Sequence, residues 1–340
     1  MHERGRGCRE IYSHATVENR NKRDFRCLFS SSQTYMPGVS GDGDSDDNAV
    51  LEGKANMLLT RYLLQDGLFN FGSDIKMRNR WFLESSFCHP AKLHLGLLHY
   101  LIDRYTHPGD TIADPMCGTG SLLLAATMQR QVIARDVEPR WVEIARANAV
   151  HLREIGGLFL GNMDVGQQDA RLPWGYQADH VLCSPPYGNE ASSSPLAHRA
   201  LVYRQLPGRR WQSLLTRMEQ QAGAYGSVLF HYGQHPAQIG HYRGDRYFQA
   251  MHAIYTQAHV AIRPGGQLIL IVKDHIRDGQ RVRTADRTSE LCQEIGFHLT
   301  DRFQRRVHPL SLWQRRRKEQ GLPVVEEEDI LVLLKGERAR

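Results

Sequence analysis

The chain has 340 residues, 41% hydrophobic and 24% charged, which is enough apolar material for one large core or two modest ones in a soluble globular protein. No apolar run approaches the roughly 18 residues of a membrane helix, and residues 1–10 are charged, without the apolar centre of a signal peptide. A net charge of +6 points to a polyanionic partner. The six cysteines (Cys8, Cys27, Cys88, Cys117, Cys183, Cys292) include no CxxC pair, which disfavours a zinc knuckle or disulfide framework and fits a reducing cytoplasm.

Residues 1–50 read as a poorly ordered tail that ends in the acidic run 41–47, a solvated linker rather than a calcium loop. Apolar spacing predicts a helix over 49–64, in an N-terminal extension covering 51–84. From Leu93 the pattern alternates. A helix over 93–102 precedes the strand 111–114, a helix over 121–130, the strand 132–136 and a helix over 140–154. Another strand is expected before Asp169, followed by strands at 178–183 and 267–272. Helices at 247–261 and 288–296 flank the last of these, and 297–305 with 329–334 form an antiparallel pair. Strands alternating with helices predict a doubly wound, Rossmann-like α/β sheet over 85–337, mostly parallel, with its ligand at the carboxyl ends of the strands.

Two strand exits carry the chemistry. The first, Asp114-Pro-Met-Cys-Gly-Thr-Gly120, has glycines at Gly118 and Gly120 for a tight turn and close backbone approach. Asp136 ends the next strand, 22 positions on, near the spacing expected of an acid that binds a ribose diol. The loop lacks G-x-G-x-x-G, and an acid before it disfavours a phosphate. It suits a ligand bearing an amino group and a cationic sulfur, S-adenosylmethionine rather than NAD. The second exit is Ser184-Pro185-Pro186-Tyr187, where the prolines forbid the strand to continue and leave a stiff loop offering hydrogen-bond acceptors beside a flat ring.

Together with His89-Pro-Ala-Lys92 and Gln168-Asp-Ala-Arg171, these motifs resemble, in order, those of S-adenosylmethionine-dependent DNA amino-methyltransferases, and Arg263-Pro-Gly-Gly266 before a strand resembles class I methyltransferases generally. The resemblance implies that Asp114 accepts from the methionine amino group, with Pro115 and the backbone from Cys117 to Gly120 against the cofactor. It further implies that Asp136 holds the ribose, that Asp169 meets the adenine amine, and that His89 and Lys92 close over the methionine end. Glu138 could share the ribose or simply start a helix. Ser184 and the Pro185 carbonyl would accept the N–H bonds of an exocyclic amine, localising its lone pair, while Tyr187 stacks on a base flipped from the duplex. No covalent intermediate is needed, so Cys183 is expected to pack in its strand.

Serine before Pro-Pro-Tyr resembles the cytosine-N4 group, so the expectation is a site-specific DNA cytosine-N4 methyltransferase of the restriction-modification type. Adenine-N6 is the nearer alternative. RNA guanine-N2 methyltransferases share Asp-Pro-Met-Cys-Gly-Thr-Gly and form a further one, and a non-catalytic nucleic-acid-binding subunit a last. Duplex or single-stranded DNA is the expected partner and RNA the alternative. An insertion over 189–246, rich in Tyr, His and Arg, and the basic stretch 302–318 are expected to contact nucleic acid. His231, His235 and His241 have no accompanying acid or cysteine cluster, and no metal is expected. Lys273-Asp274-His275 reads equally as an active-site border and a polar strand end.

Overall fold

The computed structural model describes residues 67–89, 91–157, 159–187, 232–307 and 312–336. The tail over 1–50, the helix expected over 49–64 and the insertion up to residue 231 lie outside them.

One seven-stranded sheet organises these residues, in the order β3-β2-β1-β4-β5-β9-β8. Its strands are β1 (Thr111–Asp114), β2 (Gln131–Asp136), β3 (Met163–Gln167), β4 (Ala178–Cys183), β5 (Ile262–Val272), β8 (Phe297–Arg306) and β9 (Glu327–Lys335). The first five run parallel, and β9 enters antiparallel between β5 and the edge strand β8. This is the doubly wound α/β methyltransferase fold, mostly parallel with an antiparallel strand, as the sequence leads one to expect. The order reverses between β1 and β4, so a crevice opens there beyond the carboxyl ends of the strands.

The central strands β1, β4, β5 and β9 carry continuous buried runs because both of their faces are covered. With a side-chain period of two, Ile269, Ile271, Ile330 and Val332 face one core, together with Leu97, Leu98, Leu101 and Ile102 of α2 (Leu95–Tyr105). Leu268, Leu270, Val272, Leu331 and Leu333 face the other, against α4 (Gly244–Ala261) and α5 (Thr284–Ile295). Helix α3 (Pro139–Ile155) starts with Pro139 in its first turn, where the missing N–H removes no bond.

Some elements differ from expectation. Ser121–Met128 winds as a 3-10 helix, buried over Ser121–Ala126, so tertiary packing rather than helix propensity sets its form. Helix α1 (Ile75–Trp81), the hairpin β6–β7 (His275–Arg277, Gln280–Val282) and helix α6 (Leu312–Glu319) have too few apolar residues to announce themselves. Phe69 is a core residue. Its N–H donates to Gln304 and its carbonyl accepts from Arg306, which extends the sheet at the β8 edge. Arg78, almost fully buried, ties α1 inward through the Ser121 hydroxyl, the Asp74 carboxylate and the Leu93 carbonyl.

Candidate active site

A cavity of about 190 Å³ opens at the carboxyl edge of the sheet. Its walls include His89, Lys92, Asp114, Pro115, Cys117, Gly118, Asp136, Asp169, Ser184, Pro186 and Tyr187, so both strand exits meet in one space. Gly120 and Pro185 stand outside the lining. A Cβ on Gly120 would meet Leu123 Cδ1 at 2.7 Å and Ala145 Cβ at 3.2 Å, so that glycine serves the close packing of turn against helix.

The acidic half is built by the turn after β1. Gly118 and Gly120 take φ values of 52° and 82°, which residues with a Cβ adopt rarely. The turn is pinned from outside: the Cys117 N–H donates to the Arg135 carbonyl, and the Gly118 N–H to Asp136 Oδ2 at 2.8 Å. Fully buried Asn148 donates to the Thr119 carbonyl and the Ser86 hydroxyl, each at 2.8 Å, and accepts from the Leu83 N–H at 3.0 Å.

Asp114 Oδ1 accepts the Met116 N–H at 3.0 Å. Burial, with the neighbouring Asp136 charge adding to it, raises the Asp114 carboxyl to about 8. Asp136 accepts from the Gly118 and Glu138 N–H groups, and burial lifts it to about 6. Two acids held in a dry wall this way form a receptacle for a cation and for hydroxyl donors. Asp169 is opposite in character: burial pushes it up, but Arg171 more than offsets this with bonds at 3.0 and 2.7 Å, leaving it below the usual carboxylate range.

His89 is buried, with its ring 4.6 Å from that of Trp141 and edge-on to it. Desolvation lowers it to about 3, so it packs as a neutral ring. The Lys92 ammonium donates to the carbonyls of His89 and Phe87 at 2.7 and 3.2 Å, fastening the loop it belongs to.

The other half is the loop after β4. Ser184 Oγ lies 3.3 Å from the Tyr187 hydroxyl, which donates to Glu328 Oε1, also at 3.3 Å. Arg305 donates its Nε and Nη2 to Glu328 Oε2 at 2.8 and 2.6 Å. Buried Tyr247 on α4 donates to the Pro186 carbonyl at 2.6 Å and sets the loop's height above the sheet.

Sequence reasoning missed Glu328, Trp141, Tyr232 and Gln238 in this wall. Tyr232 and Gln238 belong to the described end of the expected insertion, which lies across the acidic half. There the Trp141 indole N–H donates to the Tyr232 carbonyl, and Glu138 Oε1 accepts the His235 N–H at 2.8 Å. Glu138 is thus the anchor of this roof. No sequence motif marks Glu328, which is near in space only because β9 is inserted beside β5.

Two stretches expected at the surface or at the site have structural duties. Arg302 pairs with Asp286 and Asp329, Arg305 is buried against Glu328 and Lys318 pairs with Glu326, while Arg315 and Arg316 are exposed on α6. Asp274 accepts the Ala285 N–H at the start of α5 and the Arg281 side chain, so that segment is a polar strand end. Cys183 is buried in β4. Among the described residues no group of three His, Cys, Asp or Glu side chains could hold a metal ion, and no helix is long and apolar enough to cross a membrane.

The UPF0020 family, described as an RMKL-like methyltransferase domain, matches residues 87–207, which carry both strand exits. A tRNA (guanine(10)-N2)-dimethyltransferase from Methanothermobacter thermautotrophicus is 36% identical over 88 residues, covering 25% of this chain and 24% of that protein. The alignment therefore spans about a quarter of that relative's length. The fold is similar to TrmN from Thermus thermophilus, 17% identical with a TM-score of 0.38 over 72% of this chain and 49% of that one. It is also similar to a SAM-dependent methyltransferase from Methanosarcina mazei, 12% identical with a TM-score of 0.42 over 70% and 98%.

These matches overturn the DNA assignment. The segment expected to mark a DNA cytosine-N4 or adenine-N6 enzyme aligns instead with an RMKL-like domain, and the relative acts on guanine-N2 of tRNA. With the DNA target go duplex binding, base flipping and a place in restriction-modification. The physical reason lies in the loop itself. A serine hydroxyl beside a tyrosine ring offers an acceptor to any exocyclic aromatic amine and does not distinguish cytosine from guanine.

Proposed function

We propose that this protein transfers a methyl group from S-adenosylmethionine to the exocyclic N2 amine of guanine in RNA, with tRNA as the substrate class. One observation carries the reading: a single cavity joins an acid-rich glycine turn to a Ser-Pro-Pro-Tyr loop. The tRNA guanine-N2 relative supports the choice of base and nucleic acid.

The acidic half fits the methyl donor by charge. Among the described residues Asp114 has no cationic side chain bonded to it, and a buried acid left that way favours a ligand that brings its own ammonium. Asp114 would hold that ammonium and Asp136 the ribose hydroxyls. Gln168 and Asp169 would stand toward the adenine, with Asp169 oriented by Arg171. Trp141, packed edge-on against neutral His89 and bonded to the Tyr232 carbonyl, closes the wall and excludes water. S-adenosylmethionine, when bound, supplies an electrophilic methyl group on a sulfonium.

The chain's own contribution is to the amine. The lone pair of an amine conjugated to a purine is delocalised into the ring. Accepting one N–H at Ser184 Oγ turns that lone pair toward the donor, and fixing the base against Tyr187 removes orientational freedom from the reacting pair. Ser184 belongs to the cavity lining, whereas Pro185 does not. Exposed Arg315 and Arg316 on α6 provide phosphate contacts.

The test is incubation of the purified protein with methyl-labelled S-adenosylmethionine and, separately, tRNA, single-stranded DNA and duplex DNA. Nuclease digestion and mass analysis of the labelled nucleoside follow. N2-methylguanosine from the tRNA sample is the expected product. Label in a DNA base, or on another atom of an RNA base, refutes the reading.

A further inference from the structure

Glu328 is a buried carboxylate in the wall of the cavity on the Ser-Pro-Pro-Tyr side, and the mechanism above makes no use of it. It reaches the site from β9, 141 positions after Tyr187, because β9 runs antiparallel beside β5 and so brings its first residues to the carboxyl edge of the sheet. Its two oxygens are not equivalent. Oε2 is held by the Nε and Nη2 of Arg305, itself buried, so the side chain is fixed and its charge compensated from behind. Oε1 faces the Tyr187 hydroxyl, within a run of contacts that ends at Ser184 Oγ. The site thus presents two acceptors, one on either side of the Tyr187 hydroxyl: a hydroxyl for the amine, and a rigid carboxylate oxygen for whatever adjoins the amine on the base.

That neighbouring atom distinguishes the bases. Beside its amine, guanine carries N1–H, a donor. Cytosine carries N3 and adenine N1, both lone-pair acceptors. A fixed carboxylate oxygen there rewards a donor and is repelled by a lone pair. Resting on the guanine-N2 reading, we infer that Glu328 is the specificity-determining residue of the site: Oε1 accepts guanine N1–H while Arg305 holds the carboxylate in place. The base is selected by the atom next to the reacting amine, and Glu328 does this from a strand that carries none of the family motifs.

The decisive measurement uses the unaltered protein. Once digestion has located the methylated guanosine, a synthetic RNA is made with 2-aminopurine at that position. This base keeps the 2-amine, replaces N1–H with a lone pair and lacks O6, so the Glu328→Gln variant is what assigns any loss to N1. The expected kcat/KM on it is about 10- to 100-fold below that on guanine, the usual size of a correctly against incorrectly paired base contact. Glu328→Gln, whose amide can still bond Arg305 and can offer an N–H to a lone pair, is expected to reverse that preference. Its affinity for S-adenosylhomocysteine should remain that of the parent, because Glu328 lies at the opposite end of the cavity edge from Asp136.

If the protein makes N2-methylguanosine yet accepts 2-aminopurine equally well, the inference is overturned and the proposed reaction stands. Discrimination that persists unchanged in Glu328→Gln also overturns it. Absence of N2-methylguanosine from every RNA removes the proposed reaction, and the inference with it.

Discussion

The role proposed for Asp114 would make donor binding a proton-linked event. In the free protein burial holds its carboxyl near 8, so at pH 7 only about one molecule in ten carries the charge that a bound ammonium requires, and at pH 6 about one in a hundred. Apparent affinity scales with the competent fraction, so the dissociation constant should tighten about tenfold from pH 6 to 7 and about fivefold more by pH 8. That is some 2 kcal/mol across the window at about 1.4 kcal/mol per factor of ten. The sign follows from the raised value: the neutral form dominates below about 8, and binding a cation expels the proton. Titration calorimetry with S-adenosylhomocysteine, in buffers of different ionisation enthalpy, should show close to one proton released at pH 7. Asp114→Asn should bind weakly, with no pH dependence between pH 7 and 8 where Asp136 is already ionised, and approach the parent's affinity at pH 6. Equal affinity at pH 6 and 8 with no proton release would refute both the burial argument and the role given to Asp114. The same proton has a counterpart in stability. Because the folded value lies above the unfolded one, the free protein should lose stability as pH rises from about 4 toward 8, by up to about 1.4 kcal/mol per pH unit from this group.

Three further outcomes are expected. Ser184→Ala should lower kcat on tRNA about a hundredfold, the scale of losing one preorganised hydrogen-bonding group, while S-adenosylhomocysteine binding by calorimetry stays unchanged. Tyr247→Phe removes the hydroxyl that holds the Pro186 carbonyl; about 1 kcal/mol of stability should go with it, seen in denaturant titration, together with a fall in kcat that exceeds any change in donor affinity. Asn148→Ala leaves the Leu83 N–H and the Thr119 carbonyl unsatisfied in a dry interior and should cost about 3 kcal/mol by chemical denaturation, the largest stability loss of the set.

Where backbone chemistry is local, the chain's pattern was readable. The strands at 111–114 and 178–183 stand at the expected bounds, since Asp114-Pro115 and Ser184-Pro185 end a strand whatever surrounds them. The meeting of the two loops followed from strand order. Other features depend on distant neighbours. Arg305 looked like a surface cation because its partner, Glu328, belongs to another strand, and Glu138, expected to start a helix and found at its N-cap, gave no sign of its second task because the segment it anchors returns only near residue 235. The choice of base misled for a different reason. A loop of acceptors records that an amine is activated, and the ring that carries the amine is met by other residues.

The placement of β9 has a consequence for how the molecule is made. Emerging from the ribosome, residues 87–187 already contain the acids and the Ser-Pro-Pro-Tyr loop, yet the gap beside β5 stays open until residues 327–335 arrive and thread between β5 and β8. Glu328 and its Arg305 clasp can form only at that moment. Closing contacts over such sequence separations is slow and comes late in folding. A nascent or partly folded chain would therefore hold both strand-exit loops before it holds the Glu328–Arg305 clasp.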